Sequence, residues 1–358
     1  MIQFISQRIL AGILVLLGVT ALVFFLLNII PVDSGRLTLG QNADTATIEA
    51  VNKQLRLNYS ASKRFWFYLS DLAPISIQSH SNEDAPLYLD KQNYSFITLL
   101  SFKEKSLVLK APFFGRSFQS NQLVFDIIKK KIIPTSILAI CSIFIASVLG
   151  VILGIIASLN YGKWIDNTVL TFSIMGISVP SYFSAILLSV IFGYYLSNYT
   201  QLNVTGPLID ITDWGTYYIN WKNLILPVIA LGIRPIAIIM QLTRNSMLDV
   251  LGADYVRTAT AKGLSKKVVI LKHVLRNALN PVITSVTGWF AALLAGAFFV
   301  EWVFDFKGLG HETVNALLNF DFPVVMGAIL FIAFIFILIN ILADVFYSLL
   351  DPRVKLYG

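Results

Sequence analysis

Six long runs of apolar residues alternate with polar segments along the chain. Each run holds roughly 20 or more mostly apolar residues, the length that an α-helix needs to cross the hydrocarbon core of a bilayer. The first run is too long for the apolar part of a signal peptide and has no small-residue cleavage pattern, so we expect a retained anchor helix. The pattern predicts six transmembrane helices, at Ile9–Ile30, Ile132–Leu159, Val169–Leu196, Leu224–Leu242, Pro281–Val303 and Pro323–Leu350.

The polar segments between the runs differ in charge, and this difference predicts the orientation. Thr243–Asn280 contains seven Lys or Arg residues against two Asp residues, and the C-terminal tail adds Arg353 and Lys355. Because Lys and Arg accumulate on the cytoplasmic side of membrane proteins, we expect this segment and both termini in the cytoplasm. Three lysines at 129–131 fall on the opposite side, but long translocated segments largely escape the charge rule.

Nearly a hundred residues separate the first two apolar runs, and the predicted orientation places them outside the cytoplasm. Within them, Ser62–Leu72 (SKRFWFYLSDL) predicts an amphipathic helix that lies on the membrane surface or on the protein itself. His80–Phe96 is rich in turn-forming residues and predicts a loop. The expected organisation is an anchor helix (1–31), an extracytoplasmic segment (32–128) and a core of five transmembrane helices (129–358) with a cytoplasmic loop at 243–280.

Composition supports an all-α integral membrane protein and argues against several other classes. Apolar residues make up 56% of the chain and charged residues only 13%, whereas soluble domains carry about 25% charged residues. The net charge of +7 is explained by cytoplasmic Lys and Arg, without nucleic acid. A single cysteine, Cys141, and three widely separated histidines predict neither a disulfide framework nor a metal site.

Motifs for nucleotide or peptide chemistry are absent from the sequence. It contains no phosphate-binding loop of the G-x-x-x-x-G-K-[ST] type, no H-E-x-x-H motif and no G-x-S-x-G motif. We therefore expect no catalytic residue and no cofactor bound by this chain. Any active transport would draw its energy from a partner protein or from an ion gradient.

One long basic stretch with helix-forming sequence interrupts the apolar pattern, from Asp254 to Val282. MLDVLGADYVRTATAKG predicts a helix that stops at Gly263, and Ser265 is placed to cap a second helix, KKVVILKHVLRNAL. A solvated basic loop would explain the charge, but an ordered turn between two helices favours a docking element for a cytoplasmic protein. The second helix is predicted to carry one apolar stripe at helical spacing, formed by Val268, Leu271, Leu275 and Ala278.

This stretch closely resembles the cytoplasmic EAA-type loop of bacterial ABC importer permeases of the dipeptide and oligopeptide family. Further blocks resemble the family in order along the chain, namely QRILAGILVLLGVTALVFFLLNIIP, FFGRSF with IPTSI, SVPSYF, LPVIALGI with LTRNSMLDVL, LLAGAFFVEWVFDFKGLG, DFPVVMGA and NILADVFYSLLDPR. The chain departs from the family at PVDSG, where P-G-D-P is common, and at FKGLG, where Lys307 replaces a proline. The outer segment is also longer than usual, at about Ala73–Leu109.

The resemblance implies the six-helix type I ABC importer permease fold, multi-pass in a bacterial cytoplasmic (inner) membrane. It implies partners besides membrane lipid: a homologous second permease subunit, two cytoplasmic ABC ATPase subunits that bind ATP and Mg²⁺, and an extracytoplasmic substrate-binding protein. The cargo would be di- or oligopeptides. The segment Leu251–Leu264 would be the helix that couples to the ATPases, through Asp254, Tyr255, Arg257, Thr258, Ala259, Ala261, Lys262, Gly263 and Leu264.

Polar and helix-breaking residues within the runs are candidates for the substrate pathway, and each also has a structural explanation. Asn340 and Asp344 are four residues apart and share a helix face. Arg234 would pair with Asp344 between helices, or bind the carboxylate of a peptide. Pro180 is expected to bend the third helix. Glu301, with the glycine turn that follows it, would belong to an outer gate or to ordinary loop packing.

Two alternative functions remain open on the sequence. The first keeps the importer and changes its cargo to nickel, an oligosaccharide or an antimicrobial peptide, because the binding protein sets the cargo in such systems. The second is a secondary transporter driven by an ion gradient. Secondary transporters often contain inverted repeats with broken helices, and the sequence shows no matching halves.

Overall fold

The computed structural model describes residues 2–29, 56, 58–80, 85–90, 95–212 and 214–350. The PVDSG stretch, parts of the predicted loop His80–Phe96, and the tail with Arg353 and Lys355 lie outside the described residues. Most of the described chain is helical. Apart from the single turn Ser197–Thr200, the described helices are α1 (Ile2–Ile29), α2 (Ala61–Leu72), α3 (Val124–Leu159), α4 (Trp164–Ser178), α5 (Ser181–Tyr195), α6 (Lys222–Leu251), α7 (Asp254–Ala261), α8 (Lys266–Ala278), α9 (Asn280–Gly296), α10 (Phe298–Val303), α11 (Leu309–Leu318) and α12 (Phe322–Leu350).

Four of the described helices, α1, α3, α6 and α12, are long and apolar enough to cross a membrane. Two further pairs, α4 with α5 and α8 with α9, pass the same test together but bend by 106° and 51° at their junctions. Counting each bent pair as one span gives six. The third run corresponds to the bent pair α4 and α5, and four runs correspond to the continuous helices. The fifth run, Pro281–Val303, covers α9 and the short α10 instead, and α8 lies in the segment predicted as the loop 243–280.

Described residues within 2–9, 131–312 and 334–350 form one compact unit. Its core joins buried side chains of α3, α5, α6, α9 and α10, among them Leu138, Ile239 and Val300. Helices α3 and α6 lie so close together at Gly154 that a side chain at this position would overlap Thr243. A short hairpin, β4 (Ile209–Ile211) with β5 (Tyr217–Ile219), precedes α6 in this unit.

Described residues within 10–130 and 313–333 form a second unit. The predicted amphipathic helix is present as α2, and its Phe65 and Tyr68 rings lie 5.3 and 6.0 Å from the Phe24 ring of α1. The helix therefore packs on the protein through this face, while Trp66 is 67% exposed.

A three-stranded antiparallel sheet follows α2 in this second unit, which corrects the all-α prediction for the outer segment. Its strands are β1 (Ile75–Ser79), β2 (Phe96–Phe102) and β3 (Lys105–Lys110), in the order β1–β3–β2. Polar Ser76 and Gln78 alternate with exposed Ile75 and Ile77, so β1 buries its polar face. Because this inverts the usual strand pattern, a search for strands with apolar inner faces would have missed it.

The start of α12 is fixed to the segment that leads into α3. Asp321 accepts hydrogen bonds from the Ser117 hydroxyl at 2.5 Å and from the Phe118 backbone N–H at 3.0 Å. A side chain at Gly327 would overlap Val124. The FFGRSF and DFPVVMGA blocks, about two hundred residues apart in the chain, therefore meet in space.

Candidate functional site

The basic stretch folds as a helical hairpin, with one more break than the sequence predicted. Helix α6 ends at Leu251, and α7 begins at Asp254 after Gly252 and Ala253. Ala253 has extended backbone (φ −73°, ψ 144°), so the predicted continuous helix is wrong at this point. The stretch is thereby divided into the end of α6, the eight-residue α7 and the longer α8.

The turn between α7 and α8 depends on Gly263, as predicted. Gly263 has φ +80°, a conformation that glycine adopts without the steric cost that other residues incur, and its N–H donates to the Thr260 carbonyl at 3.0 Å. Ser265 precedes α8 as predicted, but its side chain makes no capping hydrogen bond.

Helix α8 buries the second half of the predicted stripe, Ala278 fully and Leu275 partly, but not the first half. Val268 and Leu271 of the predicted stripe are 40% and 52% exposed, whereas Val269 and Val274 are buried together with Ala278. The reason is that Val269–Val274 is π-helical, and the wider turn brings residues five apart onto one face. A stripe calculated at 3.6 residues per turn therefore points away from the core in the first half of α8.

Buried residues of α6, α7 and α8 form a single apolar cluster beneath the hairpin. Met247, at 0% exposure, packs with Val256 and Ala259 of α7 and with Val269 and Val274 of α8. This packing holds α7 against the end of α6, although the chain leaves the helical conformation between them.

Of the nine coupling candidates, eight are exposed and one is not. Ala259 is 6% exposed and packs in the chain's own cluster, so it does not lie on the outer face where the resemblance would place a contact with the ATPases. Ala261 is the small residue left on the outer surface. The exposed candidates are Asp254, Tyr255, Arg257, Thr258, Ala261, Lys262, Gly263 and Leu264.

Local contacts order the outer face of α7. Arg257 forms an exposed ion pair with Asp254 at 3.5 Å, one turn apart on the helix. The Tyr255 hydroxyl accepts a hydrogen bond from the Asn277 amide of α8 at 3.0 Å. The face therefore presents one aromatic ring, mixed charge and the positive residues that follow, which suits an acidic or polar partner surface.

An ion pair near this hairpin was missed by the sequence analysis. The Arg244 guanidinium of α6 donates to both carboxylate oxygens of Asp166 in α4, at 2.6 and 2.7 Å. The two side chains are only 12% and 2% exposed. Arg244 had been counted only as one of several basic residues, and the signal for Asp166 was a lone carboxylate at the edge of an apolar run.

Pro180 interrupts the third predicted span more strongly than expected. Val179 and Pro180 both have extended backbone, which the residue before a proline favours, and α4 and α5 meet there at 106°. The Pro180 carbonyl accepts the first hydrogen bonds of α5, from the N–H groups of Phe183 and Ser184 at 3.0 and 3.1 Å. The proline thus starts a new helix rather than bending an old one.

The structure does not bring Arg234 and Asp344 together. Asp344 pairs with Arg8 of α1 at 3.2 Å, and the Arg234 side chain is exposed. Asn340 donates to the Phe336 carbonyl of its own helix at 2.8 Å. The interhelical ion pair suggested for Arg234 is therefore wrong, and Asp344 instead ties α12 to the N-terminal helix.

Glu301 lies at the centre of a buried polar cluster. It is 0% exposed, and its Oε2 atom accepts a hydrogen bond from the His311 N–H at 3.0 Å. Its Oε1 atom has no hydrogen-bond partner among the described residues. Thr135 of the IPTSI block accepts from the Leu309 N–H at 2.8 Å, and a side chain at Gly308 would overlap both Thr135 and Glu301.

The turn between α10 and α11 contains Lys307, the residue that departs from the proline of the family that the sequence resembles. Lys307 has φ +55°, which a proline ring cannot adopt. Its ammonium lies 2.6 Å from the Asp305 carboxylate, which also contacts His311 at 2.7 Å. Burial opposes ionisation of Asp305, but Lys307 and His311 hold the pKa of its carboxyl below the usual value. Burial, reinforced by Lys307, lowers the pKa of His311.

The chain matches described families and relatives over nearly its whole length. Residues 150–356 match the family "Binding-protein-dependent transport system inner membrane component", and residues 1–139 match its N-terminal companion family. The glutathione transport system permease protein GsiC of Escherichia coli K12 is 33% identical, covering 99% of both chains. The dipeptide transport system permease protein DppB of Alkalihalophilus pseudofirmus is 31% identical, covering 99% of this chain and 100% of that protein.

Proposed function

Because the chain belongs to the family of binding-protein-dependent transport system inner membrane components, and is a permease subunit of an ABC importer, we propose that its cargo is di- or oligopeptides. The relatives named above are described as permeases for glutathione and for dipeptides. Both cargoes are short peptides, and each relative aligns with this chain from end to end. A peptide cargo is the chemistry that these two relatives share.

We further propose that α7 is the element through which cytoplasmic ATPase subunits move this permease. The observation that carries this proposal is the exposed outer face of α7, held by the Gly263 turn and backed by the cluster around Met247. A short helix with one face buried against its own protein and the other ordered but open is suited to docking. Since α7 packs with the end of α6, a displacement of α7 would carry α6 with it as a rigid lever.

The remaining parts of the machine follow from this role. A second, homologous permease would complete the pathway, two ATPases would bind ATP and Mg²⁺, and an extracytoplasmic protein would deliver the cargo. This chain itself would catalyse no reaction. It would cross the inner membrane six times, with α1, α3, α6 and α12 as continuous spans and both termini in the cytoplasm.

The outer segment would then lie between α1 and α3 on the extracytoplasmic side. Its sheet exposes Ile75, Ile77, Ile97, Leu100 and Phe102 on the outside. This surface could receive the binding protein or cap the permease itself. Deleting residues 75–110 and measuring uptake tests whether the sheet is needed for transport. Retained transport would show that neither role is required.

Reconstitution of the complete complex in proteoliposomes tests the proposed function. Binding protein loaded with a labelled dipeptide or tripeptide is added outside vesicles whose lumen holds the ATPase subunits, and uptake is driven either by ATP in the lumen or by a proton or sodium gradient. We expect ATP-dependent peptide uptake that a gradient alone does not support. Uptake driven by a gradient without the ATPases would instead identify a secondary transporter, and transport of nickel or an oligosaccharide but no peptide would refute the cargo.

A further inference from the structure

The buried ion pair between Asp166 and Arg244 joins the coupling region to the interrupted third span. We propose that this pair is the positioning contact that transmits movement of α7 to α4, so that α4 and α6 move together during transport. The proposal rests on the proposed function of α7. It assigns a role to two residues that lie outside α7 itself.

The geometry of the pair is that of a rigid joint. Two parallel hydrogen bonds, at 2.6 and 2.7 Å, fix the guanidinium plane against the carboxylate. The Gly162 N–H donates to Asp166 at 3.0 Å, and the Tyr161 ring lies 5.2 Å from the Arg244 guanidinium carbon. Both charged groups are therefore held on more than one side, by the turn before α4 as well as by each other.

A second contact shows that α4 follows α6 along its length. A side chain at Gly176, near the end of α4, would lie 3.1 Å from Ile233 of α6. From Gly176 back to Asp166 is ten residues, and from Ile233 forward to Arg244 is eleven. At 1.5 Å per residue, the two helices thus run antiparallel in contact over about 15 Å.

On the other side, Arg244 lies one helical turn from the coupling cluster. Met247 follows it by three residues and is packed with Val256 and Ala259 of α7. The route from α7 to α4 therefore consists of Met247, Arg244 and Asp166, all in direct contact or on one helix. At the far end of α4, the break at Pro180 would let α5 change its angle while α4 moves with α6.

The chemistry of the pair favours positioning over stabilisation. Removing two charges from water is costly, and a buried ion pair can often be replaced by apolar residues without loss of stability. A bidentate Arg–carboxylate contact does, however, specify orientation, which packing of methyl groups does not. A joint that must keep two helices in register while they move has a use for that property.

The test uses the complete complex in proteoliposomes, with transport and ATP hydrolysis measured on the assembled fraction. Asp166→Asn keeps the shape of the side chain and removes its charge, and Arg244→Lys keeps the charge and removes the bidentate contact. We expect either change to lower the peptide transported per ATP hydrolysed by about tenfold, the effect of a coupling free energy of about 1.4 kcal/mol. The matched control is Glu312→Gln, which removes the half-exposed Lys131 ion pair at 3.0 Å and should leave the ratio unchanged.

A purely structural role predicts a different result. In that case Asp166→Asn would lower the melting temperature and the yield of complex, while each assembled complex would transport as much peptide per ATP as wild type. That outcome would overturn the proposal. Absence of ATP-driven uptake by the wild-type complex would instead refute the proposed function, and this result is seen before any variant is measured.

If both variants assemble poorly, a chemical cross-link between positions 166 and 244 tests the proposal independently. Cys141 is the chain's single cysteine, so Cys141→Ser gives a background in which Asp166→Cys and Arg244→Cys can be joined by a short bifunctional maleimide. We expect the linker to restore the transport per ATP that the double variant lacks, and a monofunctional maleimide not to. Equal ratios with and without the linker would contradict the proposal.

Discussion

Gly263 offers a graded test of the turn that presents α7. Its φ is +80°, and a Cβ added there would meet nothing within 4 Å, so substitutions act through the backbone and not through a clash. Alanine in this left-handed backbone conformation costs about 1–2 kcal/mol, whereas asparagine adopts a positive φ at a lower cost. Proline cannot adopt a positive φ and also loses the N–H that donates to Thr260 at 3.0 Å.

These costs translate into an order of activities. A penalty of about 1–2 kcal/mol shifts the population of the native turn by about 5–30-fold. Peptide uptake per assembled complex should therefore fall in the order glycine, asparagine, alanine, proline, while membrane insertion, followed by protease protection, stays constant. The matched control is Gly252→Ala at the other end of α7, where φ is −76° and the nearest atom lies at 3.6 Å. Wild-type coupling in Gly263→Pro, or equal losses in the two alanine variants, would refute the reasoning.

Three further changes test the packing. Gly308→Ala should cost about 1–3 kcal/mol and lower the melting temperature, because its Cβ would overlap a buried carboxylate; Gly288→Ala, in open space, should not. Ala259→Val should lower the melting temperature more than Ala261→Val, since only the first is buried. Burial lowers the pKa of Lys110 to about 8 from 10.5. Between these pH values the unfolded state therefore binds more protons than the folded state. Thermal melts should show that the stability of wild type, relative to Lys110→Gln, rises with pH across that window.

The sequence predicted the apolar helices well because length and hydropathy are summed over many residues. It could not predict how two of them are interrupted. Pro180 was recognised, but the 106° angle depends on the extended backbone at Val179 and on what packs beside it. The same limit applies to α8, where a π-helical segment changes which side chains are buried. That segment shifts the buried face to Val269 and Val274.

Contacts between residues far apart in the sequence could not be predicted either. Arg244 and Asp166 are 78 residues apart, and neither carries a motif that names its partner. The outer sheet was missed for a different reason, because β1 buries Ser76 and Gln78 and exposes isoleucines. The turn at Gly263, by contrast, was predicted correctly, since a glycine between two helix-forming segments is a local signal.

The central claim is that the outer face of α7 contacts an ATPase subunit, and site-directed cross-linking tests it most directly. In the Cys141→Ser background, Ala261→Cys places a thiol on the exposed face and Ala259→Cys places one in the buried cluster. With a photoreactive maleimide in the assembled complex, we expect the thiol at 261 to form a covalent product with the ATPase subunit and the thiol at 259 to form none. An actively transporting complex in which position 261 yields no such product would contradict the account.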